Sequence, residues 1–416
     1  MQRVLFIWEL GANFGHLTRL IPLAQEQRAL GREVLFAVNN LQVSKPLLDS
    51  IGFVCVLAPK VVYKRHRRVA ANHTELLLNC GYSNQEGLQQ TVGEWLTLFE
   101  RYQPSLLVID HSPTALLANK ISKIPVIQVG SGFEIPPSDG WPNYFSANKV
   151  QERNEVQEPH SIQPQITLLS NMNHAIKHHG MPEMQSTVEL YGGCHQLLIT
   201  FQELDHYPTR KQVNYIGPLY SSDEGREMAW SQAKSKKVFI YTWAGLGGLN
   251  QMMLALAKLD VEVIARIPDL TDAARMLFTK PNIRIFTEAL KLKDLISESD
   301  LLITHSGFAT VSVFLRQGVP VMVVPDTIEQ LMVGQRVQSL GAGLVMGFQR
   351  QQSYFEEMIV SLLDMSSFKA KAMQFAQNYK NWHPEHPIKE ITWLINSLLL
   401  AVTIKPLKIL PAKTKY

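Results

Sequence analysis

Cysteine is scarce in this chain. Only Cys55, Cys80 and Cys194 occur in 416 residues, far apart and without a C-x-x-C pair. That spacing indicates neither a disulfide framework nor a zinc cage, and a reduced cytosol is the expected compartment. Long apolar runs are also lacking. Residues 393–404 form the most apolar stretch near the end, yet they carry Asn396 and Ser397 and fall short of the ~20 residues a membrane span needs. The opening run reaches Glu9 within a few residues, which is too short for a signal-peptide core and has no small-residue cleavage site behind it. No excess of one charge appears, since 40 basic residues face 36 acidic ones. That balance gives no reason to expect a nucleic-acid partner. Walker loops, zinc-protease helices and G-x-S-x-G elbows are absent from the sequence.

What is present is alternation. Residues 3–8 read as a strand, residues 11–16 as a glycine-rich turn, residues 17–30 as a helix with Leu17, Leu20, Ile21 and Ala24 at helical spacing, and residues 33–38 as a second strand. The strands are nearly continuous apolar runs, as expected where helices cover both faces of a parallel sheet. "SLLVID" (105–110), a helical stretch over 113–122 and "IPVIQV" (124–129) repeat the pattern. Near Lys236 it restarts, and "KVFIYTWAGLGGLN" echoes "RVLFIWELGANFGH". "VEVIA", "NIRIF", "LLITH" and "VPVMVV" follow, separated by helix-patterned segments. Two doubly wound α/β halves are implied, with ligands at the carboxyl ends of their strands. Residues 208–237, rich in Gly, Pro, Ser and charge, read as the linker. Residues 131–190 are poorer in pattern and read as irregular helices and loops over the first half.

The chemistry concentrates in residues 301–343. His305, Ser306 and Gly307 end a strand and open a helix, so free backbone N–H groups and the helix dipole face any bound anion. A diphosphate fits there. One strand later Glu329 and Gln330 open another helix, where a carboxylate and an amide can meet sugar hydroxyls. His16 in the first glycine turn reads as a base, a phosphate partner or a cap. The pair His174 and His178 has metal-like spacing without an accompanying carboxylate or cysteine, and a solvated helix face is the favoured reading. The basic run "YKRHRR" (63–68) reads as a solvated loop.

These residues resemble the nucleotide-sugar glycosyltransferases of the GT-B fold, in the branch that contains UDP-glucosyl- and UDP-glucuronosyltransferases. "HSGFAT" stands for the family's H-x-G-x-x-T/S, "GVPVMVVP" for its following strand and "EQ" for its acidic residue plus glutamine. "FQELDHYP" with "YIGPLY" looks like the domain-joining stretch, and "GHLTRLIPLA" like the amino-terminal G-H-x-x-P-type segment. The resemblance implies an α/β GT-B architecture of two Rossmann-like domains whose parallel sheets face a central cleft. Residues 1–215 would bind the acceptor, 216–385 the nucleotide sugar, and 386–416 would form a helix returning to the first domain plus a basic tail.

By the same resemblance, His16 corresponds to the catalytic base and Asp110 to its acidic partner. His305, Ser306, Gly307, Thr310, Glu329, Gln330, Gly245 and Gly247 would bind the donor. "TWAGLGG" lacks the Gly-Ser the family often has there, and its glycines read equally as phosphate contacts or as a turn. Val313 stands where many relatives carry a glutamate that holds the ribose, so a UDP- or dTDP-sugar is expected. The implied reaction is inverting hexosyl transfer to a hydroxyl, with no metal and no cofactor beyond the nucleotide-sugar co-substrate. The acceptor, a small molecule or a lipid, is not named by the sequence. The aromatics Tyr63, Tyr82, Trp95, Phe133, Trp141, Tyr144 and Phe145 read equally as a lipophilic pocket or as core. The expected site is cytoplasmic, and contact with the inner face of a membrane stays open because four lysines lie in 405–416. Two alternatives stand beside this reading: an epimerase or hydrolase on the same scaffold, and a non-catalytic sugar-nucleotide-binding partner protein.

Overall fold

A computed structural model describes residues 2–11, 15–62, 69–145, 162–211, 213–220, 223–231, 235–305, 307–347 and 350–404. Two sheets organise them. The first contains β1 (Arg3–Trp8), β2 (Glu33–Val38), β3 (Val54–Leu57), β4 (Leu106–Asp110), β5 (Val126–Gly130), β6 (His195–Leu198) and β7 (Asn214–Tyr215), in the order β3-β2-β1-β4-β5-β6-β7. The second contains β8 (Lys236–Tyr241), β9 (Val261–Arg266), β10 (Ile283–Phe286), β11 (Leu301–Thr304), β12 (Val321–Val323) and β13 (Gly343–Val345), in the order β10-β9-β8-β11-β12-β13. Every pairing among these strands is parallel.

The order of each sheet reverses beside its first strand, between β1 and β4 and between β8 and β11. Chain leaving those neighbours runs in opposite directions and opens a crevice at the strand ends. Trp8 pairs with Asp110 at one such end, and Tyr241 with Thr304 at the other. The readings of β1 and β2 and of the helix Pro113–Ser122 coincide with the observed spans. The segment 131–190 departs from expectation in one respect. It holds a regular helix, Gln163–Lys177, whose Leu168, Met172, Ala175 and Ile176 join the core of the first unit with Trp95 and Tyr82. Among the described residues no helix is long and apolar enough to cross a membrane. "YKRHRR" and the lysine-rich residues 405–416 lie outside the described residues.

The last helix, His386–Ile404, returns to the first unit. Ile391, Ile395 and Leu399 pack with Val4, Leu17 and Leu20, and Gln27 donates to the Thr392 hydroxyl at 3.1 Å. The chain therefore passes between the units twice, near Gly217 and near Trp382. These passages touch: the Trp382 indole N–H donates to the Ile216 carbonyl at 3.1 Å. Gly217 sits at φ +85°, and a Cβ there would come within 2.2 Å of the Trp382 indole, so both the backbone and the ring demand glycine. Phe201 lies tilted against Tyr379, with ring centroids 4.1 Å apart, and meets Trp382 edge-on, while Arg336 donates to the Glu203 carbonyl.

Candidate active site

The turn after β1 delivers His16 at the start of the helix Gly15–Ala29. Gly11 lies beneath its ring at φ +98°, and a Cβ there would come within 2.5 Å of Nε2. Only glycine leaves that space. Trp8 stacks on the imidazole from the β1 side, with ring centroids 5.6 Å apart. Asp110, fully buried at the end of β4, approaches His16 Nδ1 at 3.1 Å. Two residues 94 apart in sequence thus meet over neighbouring strand ends.

Two further side chains join them. Arg19, one turn along the helix from His16, places its guanidinium on both oxygens of Asp110 and on Glu134 Oε1, the last at 2.7 Å. Glu134 is buried beyond the end of β5, where it also accepts the Ser131 N–H at 2.9 Å and the Ser131 hydroxyl. The donor–acceptor count bears on the imidazole tautomer. Arg19 Nη2 has two hydrogens and lies 2.7 Å from an oxygen of Asp110 and 2.7 Å from Glu134. Nη2 also lies 2.5 Å from His16 Nδ1; with its two N–H groups given to the carboxylates, Nδ1 would be the donor to Asp110. Nε2 is then the basic nitrogen.

Charge supports the same arrangement. Against the desolvation that burial imposes, the Arg19 guanidinium, with His16 and His111, holds the Glu134 carboxyl well below the usual carboxylate range. The His111 ring lies 5.7 Å from His16. Burial and the His16 charge push it down to about 4, so it stays neutral. The donor atoms of His16, Asp110 and Glu134 lie within 4.8 Å of one another, a spacing a cation could bridge. Arg19 already supplies the positive charge there.

The second unit contributes from the facing side. Gly307 caps the helix Phe308–Arg316 after β11, and Thr310 Oγ1 lies 3.6 Å from where a Gly307 Cβ would be. The first-turn N–H groups of this helix, just beyond the end of β11, have no intrahelical partner. The His305 ring faces Tyr241 at 5.9 Å, and burial pushes the imidazole down against a backbone hydrogen bond at Tyr241. Ser306 lies outside the described residues. Thr327 caps the helix Ile328–Leu340, and Gln330 turns its side-chain oxygen back to accept the N–H groups of Asp326 (2.7 Å) and Thr327 (3.2 Å). Desolvation, and then the charge of Glu134, raise Glu329 to about 7, while His16 and Arg19 oppose the rise. The helix start thus comes within electrostatic reach of the His16 cluster.

The glycine loop after β8 is shaped by side chains. Arg350 donates to the Gly247 carbonyl at 2.6 Å and to Asp326 at 2.8 Å, and a Cβ on Gly247 would meet Arg350 Nη1 at 2.6 Å. Trp243 folds over Gly245 and donates to Asp326 at 3.2 Å. Sequence reading missed Arg19, Glu134, Trp243, Asp326 and Arg350. Arg19 was within reach, since i and i+3 share a helix face and it occupies the proline position of G-H-x-x-P. His174 Nε2 donates to the Gln89 side-chain oxygen at 3.1 Å and faces His178 edge-on, apart from the cluster.

Two parallel doubly wound sheets, each with its crevice at the strand ends, are the GT-B architecture, and the chain is similar to glycosyltransferases of that fold. Residues 250–391 match the family described as Erythromycin biosynthesis protein CIII-like, C-terminal domain. Over 91% of this chain and 84% of its own length, the PGL/p-HBAD biosynthesis rhamnosyltransferase of Mycobacterium bovis is 23% identical. The zeaxanthin glucosyltransferase of Pseudescherichia vulneris is 25% identical over 84% of this chain and 88% of its own length. Among solved structures, spinosyn rhamnosyltransferase SpnG complexed with thymidine diphosphate superposes with a TM-score of 0.66 at 20% identity, covering 95% of this chain and 100% of SpnG.

Proposed function

We propose that the protein is an inverting glycosyltransferase that moves a hexose from a nucleoside-diphosphate sugar to an acceptor hydroxyl, with His16 as base. The observation that carries this reading is the 3.1 Å approach of His16 Nδ1 to the buried Asp110 carboxylate, with Nε2 turned to the glycine floor at Gly11. The acceptor oxygen gives its proton to Nε2 and forms a bond to the anomeric carbon. The bond from that carbon to the phosphate oxygen breaks, and the nucleoside diphosphate leaves with the electron pair. Asp110 stabilises the imidazolium as it forms. Backbone N–H groups at the start of the helix Phe308–Arg316, with His305, Gly307 and Thr310, meet the charge developing on the diphosphate, so the proposed step calls on no metal. Glu329 and the Gln330 amide would hold the sugar hydroxyls.

The relatives named for rhamnosyl transfer, and the SpnG complex with thymidine diphosphate, favour a dTDP- or UDP-sugar donor. Val313, half-buried against the core of the second unit, offers a ribose no hydrogen bond. The zeaxanthin relative and the SpnG structure with spinosyn aglycone favour a lipophilic acceptor. Phe133, Tyr144 and Tyr207 of the first unit gather with Met332 of the second and would form its wall. Trp95, by contrast, is core, packed on Phe99. Tyr63 lies outside the described residues. A panel of UDP- and dTDP-sugars with lipophilic alcohols, read by a mass gain of one sugar, tests the reading. His16→Ala should lower turnover by about 10² to 10⁴ with donor affinity kept. A folded variant that retained more than about half of the turnover would remove His16 as base.

A further inference from the structure

A base that hands its second nitrogen to a carboxylate works because that carboxylate is free to stabilise the imidazolium. Here Asp110 is shared. Arg19 sits on both of its oxygens, and its Nη2 also lies 2.5 Å from His16 Nδ1. Alone, such a cation would oppose protonation of His16 twice over, by repelling the imidazolium and by occupying the anion meant for it. It could also donate to Nδ1 and force the proton onto Nε2, the nitrogen that must be bare. Glu134 corrects each effect. It offers the Nη2 hydrogen a charged acceptor at 2.7 Å in competition with Nδ1, and its own oxygen lies 3.9 Å from Nδ1. With Asp110 and Glu134 ionised and Arg19 charged, the cluster sums to −1 around a neutral His16 and to zero around a protonated one.

We infer that Glu134 is a positioning residue of the transfer, its carboxylate offsetting Arg19 so that Asp110 can stabilise a protonated His16. The inference rests on His16 being the base. The charged and titratable groups facing that imidazole are Arg19 on its own helix, Asp110 and His111 at the end of β4, Glu134 beyond β5 and Glu329 from the second unit. Trp8 contributes a stacked ring without charge.

A purely architectural role for Glu134 is the rival. The residue closes the turn at Ser131, and glutamine could keep that bond through its remaining oxygen. The full-length protein is therefore compared as wild type, Glu134→Gln, Arg19→Gln and Arg19→Gln/Glu134→Gln, with nucleoside-diphosphate binding by calorimetry as the check on folding. The readouts are the His16 imidazole titration by nitrogen-15 NMR, assigned with His16→Ala, and kcat/KM. In Glu134→Gln the titration midpoint should fall by about one pH unit and kcat/KM by about tenfold or more. In Arg19→Gln the midpoint should rise, and the double variant should return it toward wild type and recover part of the rate.

A midpoint unmoved in Glu134→Gln, or a double variant as displaced as the single, would overturn the inference. Should Glu134→Gln fail to fold, Arg19→Gln decides from the opposite side, since an unmoved midpoint there has the same meaning. His16→Ala separates the two levels. Full activity in that variant removes the base itself, and the inference with it. Loss of activity there, with an unmoved midpoint in Glu134→Gln, removes only the role of Glu134.

Discussion

Asp110→Asn isolates the contribution of one buried charge. Asn is close to isosteric, so the 3.1 Å approach to His16 Nδ1 can persist while the charge disappears. A unit charge pair at 3.1 Å is worth about 5 kcal/mol at an effective dielectric of about 20, or about 10⁴ in rate if all of it develops in the transition state. Two features reduce that figure. Arg19 draws on the same carboxylate, and Glu134 supplies a second anion 3.9 Å from Nδ1. We expect kcat/KM to fall by about 10² to 10³, with nucleoside-diphosphate affinity unchanged. The same substitution leaves a buried guanidinium with one full counter-ion, so unfolding in urea should show a loss of about 3 kcal/mol. The assay is transfer of labelled sugar at saturating donor, with calorimetric donor binding alongside. A folded variant within about threefold of wild type in kcat/KM would refute the reasoning, because among the described residues no other carboxylate approaches Nδ1 as closely.

Other expectations are shorter. Gln330→Ala should weaken binding of the intact nucleotide sugar more than of the free diphosphate, and should cost about 1 kcal/mol of stability through loss of the cap at Thr327; equal weakening of both ligands by calorimetry would place the side chain away from the sugar. Glu9, buried against the start of the helix Pro113–Ser122, accepts N–H groups from Thr114 and Ala115, yet desolvation raises it to about 7 from 4.5. Its folded-state pKa is raised, so the native state favours the protonated form. The Glu9 contribution should therefore lower stability by up to about 3 kcal/mol as pH rises from about 4.5 to 7, and a flat pH–stability difference between wild type and Glu9→Gln would contradict it. Competition between UDP and dTDP should show less than about a hundredfold preference, since Val313 offers the ribose nothing.

The sequence revealed the strand ends more readily than what meets there. β1, β2 and β4 are apolar runs of five or six residues, and their periodicity is unambiguous. β6 (His195–Leu198) contains a histidine and a glutamine, and β13 is three residues beginning at a glycine. Neither carries a pattern of its own, and each is held by pairing to a neighbour already in place. His16 and Asp110 could be paired because both end strands that the topology makes adjacent. Glu134 lies in the turn beyond β5, and its partner Arg19 is 115 residues away, so strand-end position does not say which side chain reaches which. Arg350 was hidden for a similar reason. It approaches Gly247 from a loop 103 residues later, a proximity set by the close of the second sheet.

The two passages between the units, at Gly217 and Trp382, lie against each other instead of at opposite edges. Mechanically this is a single pivot. Two separated crossings would define an axle and confine the units to one swinging motion, whereas a joined pair permits tilt and swivel about one point. Small rotations there become larger displacements at the far rim of the crevice, in proportion to the lever arm. A rigid-body rotation about that point would bring together or part His16 and Glu329, on opposite arms, with no change inside either sheet. The bare α-carbon of Gly217 beneath the Trp382 indole is the bearing surface of that joint.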